Sequence, residues 1–147
     1  MMQLSAQGAA FTKGWEQCRL VCYLDEDGNW TNGWGHKCES QVADITQEQA
    51  DAQFVTDMEW PQSKINSWNI PIPMGQGYFD ALCDQLYNDG NPGPHLMAAI
   101  MAQNWTVVEQ EMLLYCHDSR GEIVSDLQLR CRRRVQIMQT GVYDSSH

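Results

Sequence analysis

Residues 16–36, EQCRLVCYLDEDGNWTNGWGH, constrain this chain more than any other stretch. Asp27-Gly28 is a strong turn signal, flanked by the apolar side chains Val21, Tyr23 and Trp30. That pattern predicts a β-hairpin, because an Asp-Gly turn twists to match the strands it joins. Asp25 and Thr31 then meet near the hairpin tip. Ahead of them, Leu4, Ala9–Phe11, Trp15, Cys18 and Leu20 recur at roughly helical spacing and predict a helix over residues 4–20. Gly8 and Gly14 weaken it and move its expected start toward Ala9. Glu16 then faces the hairpin from the end of that helix. Two carboxylates and a hydroxyl around one gap are what cleavage of a glycosidic bond requires.

This stretch resembles the phage-type lysozyme (endolysin) family. The resemblance rests on Glu16, on Asp25 nine residues later, on Thr31 six further, and on the ending Gly33-Trp34-Gly35-His36. Arg19-Leu20 and Tyr23 also stand at family positions, whereas Gln17 departs from the Gly that follows the catalytic Glu in the family. Asp80-Ala81-Leu82, Tyr87-Asn88-Asp89-Gly90 and the closing Thr140-Gly141-Val142-Tyr143-Asp144 extend the likeness nearly end to end.

The resemblance implies an α+β, lysozyme-like fold in one domain over residues 1–147. A small antiparallel sheet lobe at about 16–45 would pack beside a mainly helical lobe at about 76–147, joined by a connecting helix at about 46–60. The implied activity is that of a muramidase cutting the β-1,4 bond between N-acetylmuramic acid and N-acetylglucosamine. Glu16 would protonate the leaving oxygen, Asp25 would stabilise positive charge and orient a water, and Thr31 would hold that water for inversion. Tyr87, Trp34 and Lys37 are the substrate-binding candidates. His36 is expected to pair with Asp57 and pin the hairpin to the connecting helix. No metal or cofactor is implied. A non-catalytic glycan-binding or regulatory protein on a lysozyme fold, a lytic transglycosylase and a zinc-binding interaction module are the rival readings.

At 147 residues, 43% hydrophobic and 19% charged, the chain has the composition of a soluble globular protein with a real core. No apolar run approaches the roughly 18 residues of a membrane span. MMQLSAQGAAFTKG lacks the basic start and apolar stretch of a secretory signal. The expectation is therefore a monomer without stable membrane insertion that accumulates in the host bacterial cytoplasm. A separate holin-like protein would release it to the peptidoglycan strands. A net charge of −10 argues against nucleic acid as a partner, because phosphate neutralisation needs Lys and Arg. Four of the nine basic residues lie together at Arg130, Arg132, Arg133 and Arg134, read either as a solvated helix face or as a wall-contacting patch. Six cysteines without a secretory signal read as reduced, mostly buried thiols. Cys18, Cys22, His36 and Cys38 could form a zinc set, but no C-x-x-C pair supports it, and Cys18/Cys22 is also helix-face spacing.

Thr46 and Gln49 form a capping box ahead of an apolar stripe of Ala50, Phe54, Val55 and Met58, and Pro61 predicts an end or kink at Glu59–Trp60. Residues 69–75 read as a loop, since residues before proline are pushed to extended conformations. Phe79, Leu82, Cys83, Leu86 and Tyr87 mark a buried helix over 76–90, with Gly90 as its C-cap. Two short helices follow at 95–103 and 105–117, then a turn around Gly121. The last helix, over 125–139, offers Leu127, Leu129, Cys131, Val135 and Met138 to the core. Trp15, Trp30 and Trp34 either wall the cleft or fill the core beneath it.

Overall fold

The computed structural model describes residues 1–70 and 74–147 and shows an α+β fold. Helix α1 (Ala6–Glu16) precedes strands β1 (Arg19–Leu24), β2 (Trp30–Gly33) and β3 (His36–Cys38). Six more helices follow among the described residues: α2 (Gln47–Asp57), α3 (Glu59–Ser67), α4 (Gln76–Asp89), α5 (Pro94–Met101), α6 (Trp105–Met112) and α7 (Ser125–Thr140).

Helix α1 starts earlier than its glycines suggest, because the Ser5 hydroxyl accepts the Gly8 N–H at 3.0 Å and caps the first turn. It also stops earlier than its apolar spacing suggests. Gln17 takes φ +54° and ψ 126°, a backbone region that side-chain-bearing residues rarely enter, and the chain leaves at once as β1. Residues 17–20 are therefore not helical, and Cys18 and Cys22 do not share a helix face. All six thiols are free, and Cys22, Cys83, Cys116 and Cys131 are buried. Among the described residues, no group of three His, Cys, Asp or Glu side chains could hold a metal ion.

Gln17 supplies a first prediction. A strained φ/ψ costs of order 1–3 kcal/mol, part of which glycine gives back as unfolded-state entropy. Gln17→Gly should therefore stabilise the fold by about 1 kcal/mol. At this chain length that raises the melting temperature by about 2–4 °C. A lower melting temperature would show that other contacts of Gln17 outweigh its backbone.

The strands form an antiparallel sheet in the order β1-β2-β3, with Tyr23 opposite Thr31 and Thr31 opposite Lys37. Asp25 and Asn29 close the tip loop through the Asp25 N–H to the Asn29 carbonyl at 2.9 Å, with Gly28 at φ +81°. Thr46 and Gln49 make both bonds of the capping box, at 2.9 and 3.2 Å, and start α2. Ala50, Phe54 and Met58 are buried as expected, but Val55 is 64% exposed and lies off the stripe. The helical path breaks at Met58, and Pro61 falls in the first turn of α3, where a missing N–H is harmless. Helix α3, which the sequence reading did not foresee, carries Ile65 into the core. The expected loop over 69–75 lies partly outside the described residues, at 71–73.

Helix α4 is central, with Phe79, Ala81, Leu82 and Cys83 fully buried and Gly90 closing it at φ +81°. Buried Asp80 ties both chain ends to it. It accepts the Ser5 N–H at 3.0 Å, the Tyr143 hydroxyl at 2.7 Å and the Gln76 amide at 2.8 Å. Helix α6 ends at Met112 and not at residue 117. The largest correction concerns α7. Leu127 and Leu129 are only half-buried, while Arg130 and Arg134 are buried beside Cys131, Val135 and Met138. Arg133 pairs with Asp144 at 2.9 Å. The arginine run is thus divided: Arg132 stays exposed and Arg133 half-buried, while Arg130 and Arg134 turn inward. Its two inward members are held by a buried carboxylate, Asp84.

Candidate active site

The end of α1, the hairpin tip, α4 and the segment before α7 border a cleft of about 700 Å³. Glu16 and Asp25 both line it, together with Asn88 and Asp89 from the end of α4.

Glu16 is the last residue of α1, and its side chain is 19% exposed. Its Oε1 lies 2.8 Å from Nη2 of Arg130, a charge contact rather than an aligned hydrogen bond. Burial pushes the Glu16 carboxyl above the ordinary carboxylate range; Arg130 pulls the other way, and burial wins. Gly35 makes room for this carboxyl. It sits at φ +90°, and a Cβ there would lie 2.9 Å from Glu16 Oε2.

Asp25 is pulled in the opposite direction. The Lys37 ammonium bonds its Oδ2, and the N–H groups of Asn29 and Asp27 donate to Oδ1 at 2.8 and 3.0 Å. The Lys37 hydrogen bond first, then that of Asn29, hold the Asp25 carboxyl well below the usual carboxylate range. Thr31 is 2% exposed, and its hydroxyl lies 3.3 Å from Asp25 Oδ2 and 3.2 Å from the Asn29 carbonyl. Two carboxyls with opposed proton affinities on one cleft are the arrangement that separates an acid from an ionised partner.

Of the remaining candidates, Lys37 and Tyr87 border one groove and Trp34 does not. Lys37 is committed to Asp25, although its side chain is 59% exposed. Trp34 turns its indole N–H to Asp51 of α2 at 2.8 Å, with Lys13 5.0 Å from its ring centroid. The Tyr87 hydroxyl donates to the Trp34 carbonyl at 2.6 Å. The Tyr87 ring borders a second groove of about 490 Å³ with Gly35, Lys37 and Trp60. His36 Nδ1 is 2.9 Å from Asp57 Oδ2, so β3 is tied to the last residue of α2. Trp15, Trp30 and Trp34 are all half-buried, and Trp34 packs against the core.

Sequence reasoning missed the groups behind Glu16. Arg130 reaches both Glu16 and Asp84, and Arg134 reaches Asp84 and Asn88. One signal was available: Asp84 interrupts the apolar face of α4 between Cys83 and Leu86, where a charge needs a partner.

A sequence profile of the family described as phage lysozyme matches residues 13–136. The endolysin of Salmonella phage P22 is 30% identical over 124 residues, covering 78% of this chain and 84% of its own. The endolysin of Acyrthosiphon pisum secondary endosymbiont phage 1 is 36% identical over 90 residues, covering 60% of this chain. The chain spans 61% of the length of that relative. Among solved structures, the endolysin from Escherichia coli O157:H7 phage FAHEc1 superposes with a TM-score of 0.84 at 27% identity over 97% of each chain. A P22 lysozyme mutant does so with 0.79 at 26% identity, over 95% of this chain and all of its own. With its family profile matched over residues 13–136, this chain belongs to the phage lysozyme family.

Proposed function

We propose that the chain is a phage peptidoglycan hydrolase that cuts the β-1,4 bond between N-acetylmuramic acid and N-acetylglucosamine, with inversion. The observation that carries this reading is the opposed pull on two carboxyls that line one cleft: Glu16 favours its proton and Asp25 its charge. Glu16 gives that proton to the leaving glycosidic oxygen. Asp25 faces the positive charge that builds at the anomeric carbon and orients a water with the help of Thr31. The water oxygen bonds the anomeric carbon, and its proton leaves to Asp25. Release to the host wall would depend on a separate holin-like protein. No helix among the described residues is long and apolar enough to cross a membrane.

The experiment is a digest of purified peptidoglycan by the full chain. Falling turbidity with new reducing ends is expected. Binding with neither change would favour the glycan-binding alternative, and 1,6-anhydro ends would favour a lytic transglycosylase. The rate should also fall as pH rises through the elevated Glu16 value. It should persist on the acid side below the usual carboxylate range, because Asp25 stays ionised there. A profile of kcat/KM against pH checks both limbs.

A charge of −10 bears on intact walls. With Arg130 and Arg134 buried and Arg133 paired, α7 presents no basic patch to offset repulsion from an anionic polymer. The rate on whole walls should rise several-fold from very low to moderate salt as screening sets in. A rate that only falls with salt would point to an attractive surface elsewhere.

A further inference from the structure

Behind Glu16 lies a buried chain of charges that the reaction itself does not touch. Asp84, on α4, is fully buried. Its Oδ1 accepts Arg130 Nη2 at 2.7 Å, and its Oδ2 accepts Arg130 Nε at 3.0 Å and Arg134 Nε at 2.6 Å. Arg134 Nη2 reaches on to Asn88 Oδ1 at 2.9 Å. Arg130 Nη2, 2.7 Å from Asp84, is the same nitrogen that lies 2.8 Å from Glu16. Two positive charges and one negative leave a single positive charge for Glu16 to face. Without Asp84 it would face two in a site sheltered from water, and an acid so placed gives up its proton.

We propose that Asp84 is a positioning residue for the general acid: it takes up the charge of Arg130 and Arg134 so that Glu16 keeps a proton to donate. This rests on the hydrolase reading of the cleft. Asp84 makes no contact with Glu16; Arg130 stands between the two carboxyls and touches both. Burying two arginines and a carboxylate is costly, and apolar residues could fill the same volume. A requirement for charge balance at Glu16 explains why the triad sits here.

The other charges around Glu16 do not duplicate this role. From α4, Tyr87 lies close enough for Glu16 to influence it, but its hydroxyl is engaged with the Trp34 carbonyl. Across the cleft, Asp25 is paired with Lys37. At the rim stand Glu26 and Asp27 of the hairpin tip, Asp89 of α4, Asp126 of α7, and Tyr115, His117, Asp118 and Arg120 of the segment between α6 and α7. Asp118 and Arg120 pair with each other at 2.8 Å. Trp15, beside Glu16 on α1, stacks on His147 from the chain end at 4.3 Å.

The test compares the full-length wild type with Asp84→Asn, Arg134→Gln and the double variant. Two readouts are needed: the pH dependence of peptidoglycan cleavage, and the titration of the Glu16 carboxyl followed by carbon-13 NMR. Asp84→Asn should move the Glu16 titration and the alkaline limb to lower pH while retaining rate on the acid side of that limb. One unit of movement reads as about a tenfold loss on the alkaline side. Arg134→Gln should move both upward, and the double variant should return them toward wild type. A merely structural Asp84 would lower the rate at every pH and leave the limb in place, which overturns the proposal. So would two single variants that move the limb in the same direction. If Asp84→Asn does not fold, Arg134→Gln decides, and an unmoved or lowered titration overturns the proposal. If the wild type does not cleave peptidoglycan, the hydrolase reading fails on its own, and the NMR titration still decides whether Asp84 governs Glu16.

Discussion

Glu16→Gln is expected to cut turnover on peptidoglycan by about 10²–10⁴-fold, the usual contribution of general acid catalysis, and to leave the fold intact. Glutamine keeps the size and an acceptor for Arg130 but has no proton of the required acidity. The stability consequence has a definite sign. The folded carboxyl of Glu16 lies above its ordinary range, so its contribution is present at low pH and lost as pH rises through the folded value. Above that folded value the variant should therefore melt no lower than wild type. Near-normal turnover would remove Glu16 from the mechanism, and a collapse of the melting transition would mean that the carboxyl is structural.

Gly35→Ala is the second large effect. The residue sits at φ +90°, and an added Cβ would lie 2.9 Å from Glu16 Oε2. The backbone term costs about 1–2 kcal/mol in stability. The collision should also push the Glu16 carboxyl off its donating position, and displacement of a catalytic group by about 1 Å costs on the order of 10²-fold in rate. Gly141→Ala separates the two causes. Gly141 has φ +69° at the end of α7, with open space where its Cβ would be. It should lose stability and keep its rate. Equal rate losses in the two variants would show that the Gly35 effect is general destabilisation and not contact with Glu16.

What could be read from the sequence was local. The hairpin follows from Asp27-Gly28 and its apolar flanks, and the α2 start follows from Thr46 and Gln49, because each signal lies within a few residues of the structure it specifies. Glu16 lies at the end of α1 and Asp25 in the hairpin loop, while Thr31 lies one residue inside β2. The misreadings have a common cause in contacts distant along the chain. Cys18 and Leu20 continue the helical spacing of α1, but the sheet recruits β1 and the helix is broken at Gln17. Val55 continues the stripe of α2, yet no element covers that side. A run of arginines reads as solvated unless its counter-charge is known, and Asp84 stands 46 residues before Arg130 and 50 before Arg134. No pattern within α7 announces that pairing. The polar ends of Trp34 and Lys37 meet Asp51 and Asp25, partners that lie 17 and 12 residues away along the chain and that no local pattern announces.

The most direct measurement digests peptidoglycan with wild type in oxygen-18 water, with mass analysis of the released ends and proton NMR of the first-formed anomer. A Glu16 acid working with an Asp25/Thr31-held water predicts one heavy oxygen on the N-acetylmuramic acid end, formed first as the α-anomer. A 1,6-anhydro end without heavy oxygen, or a first-formed β-anomer, would contradict it.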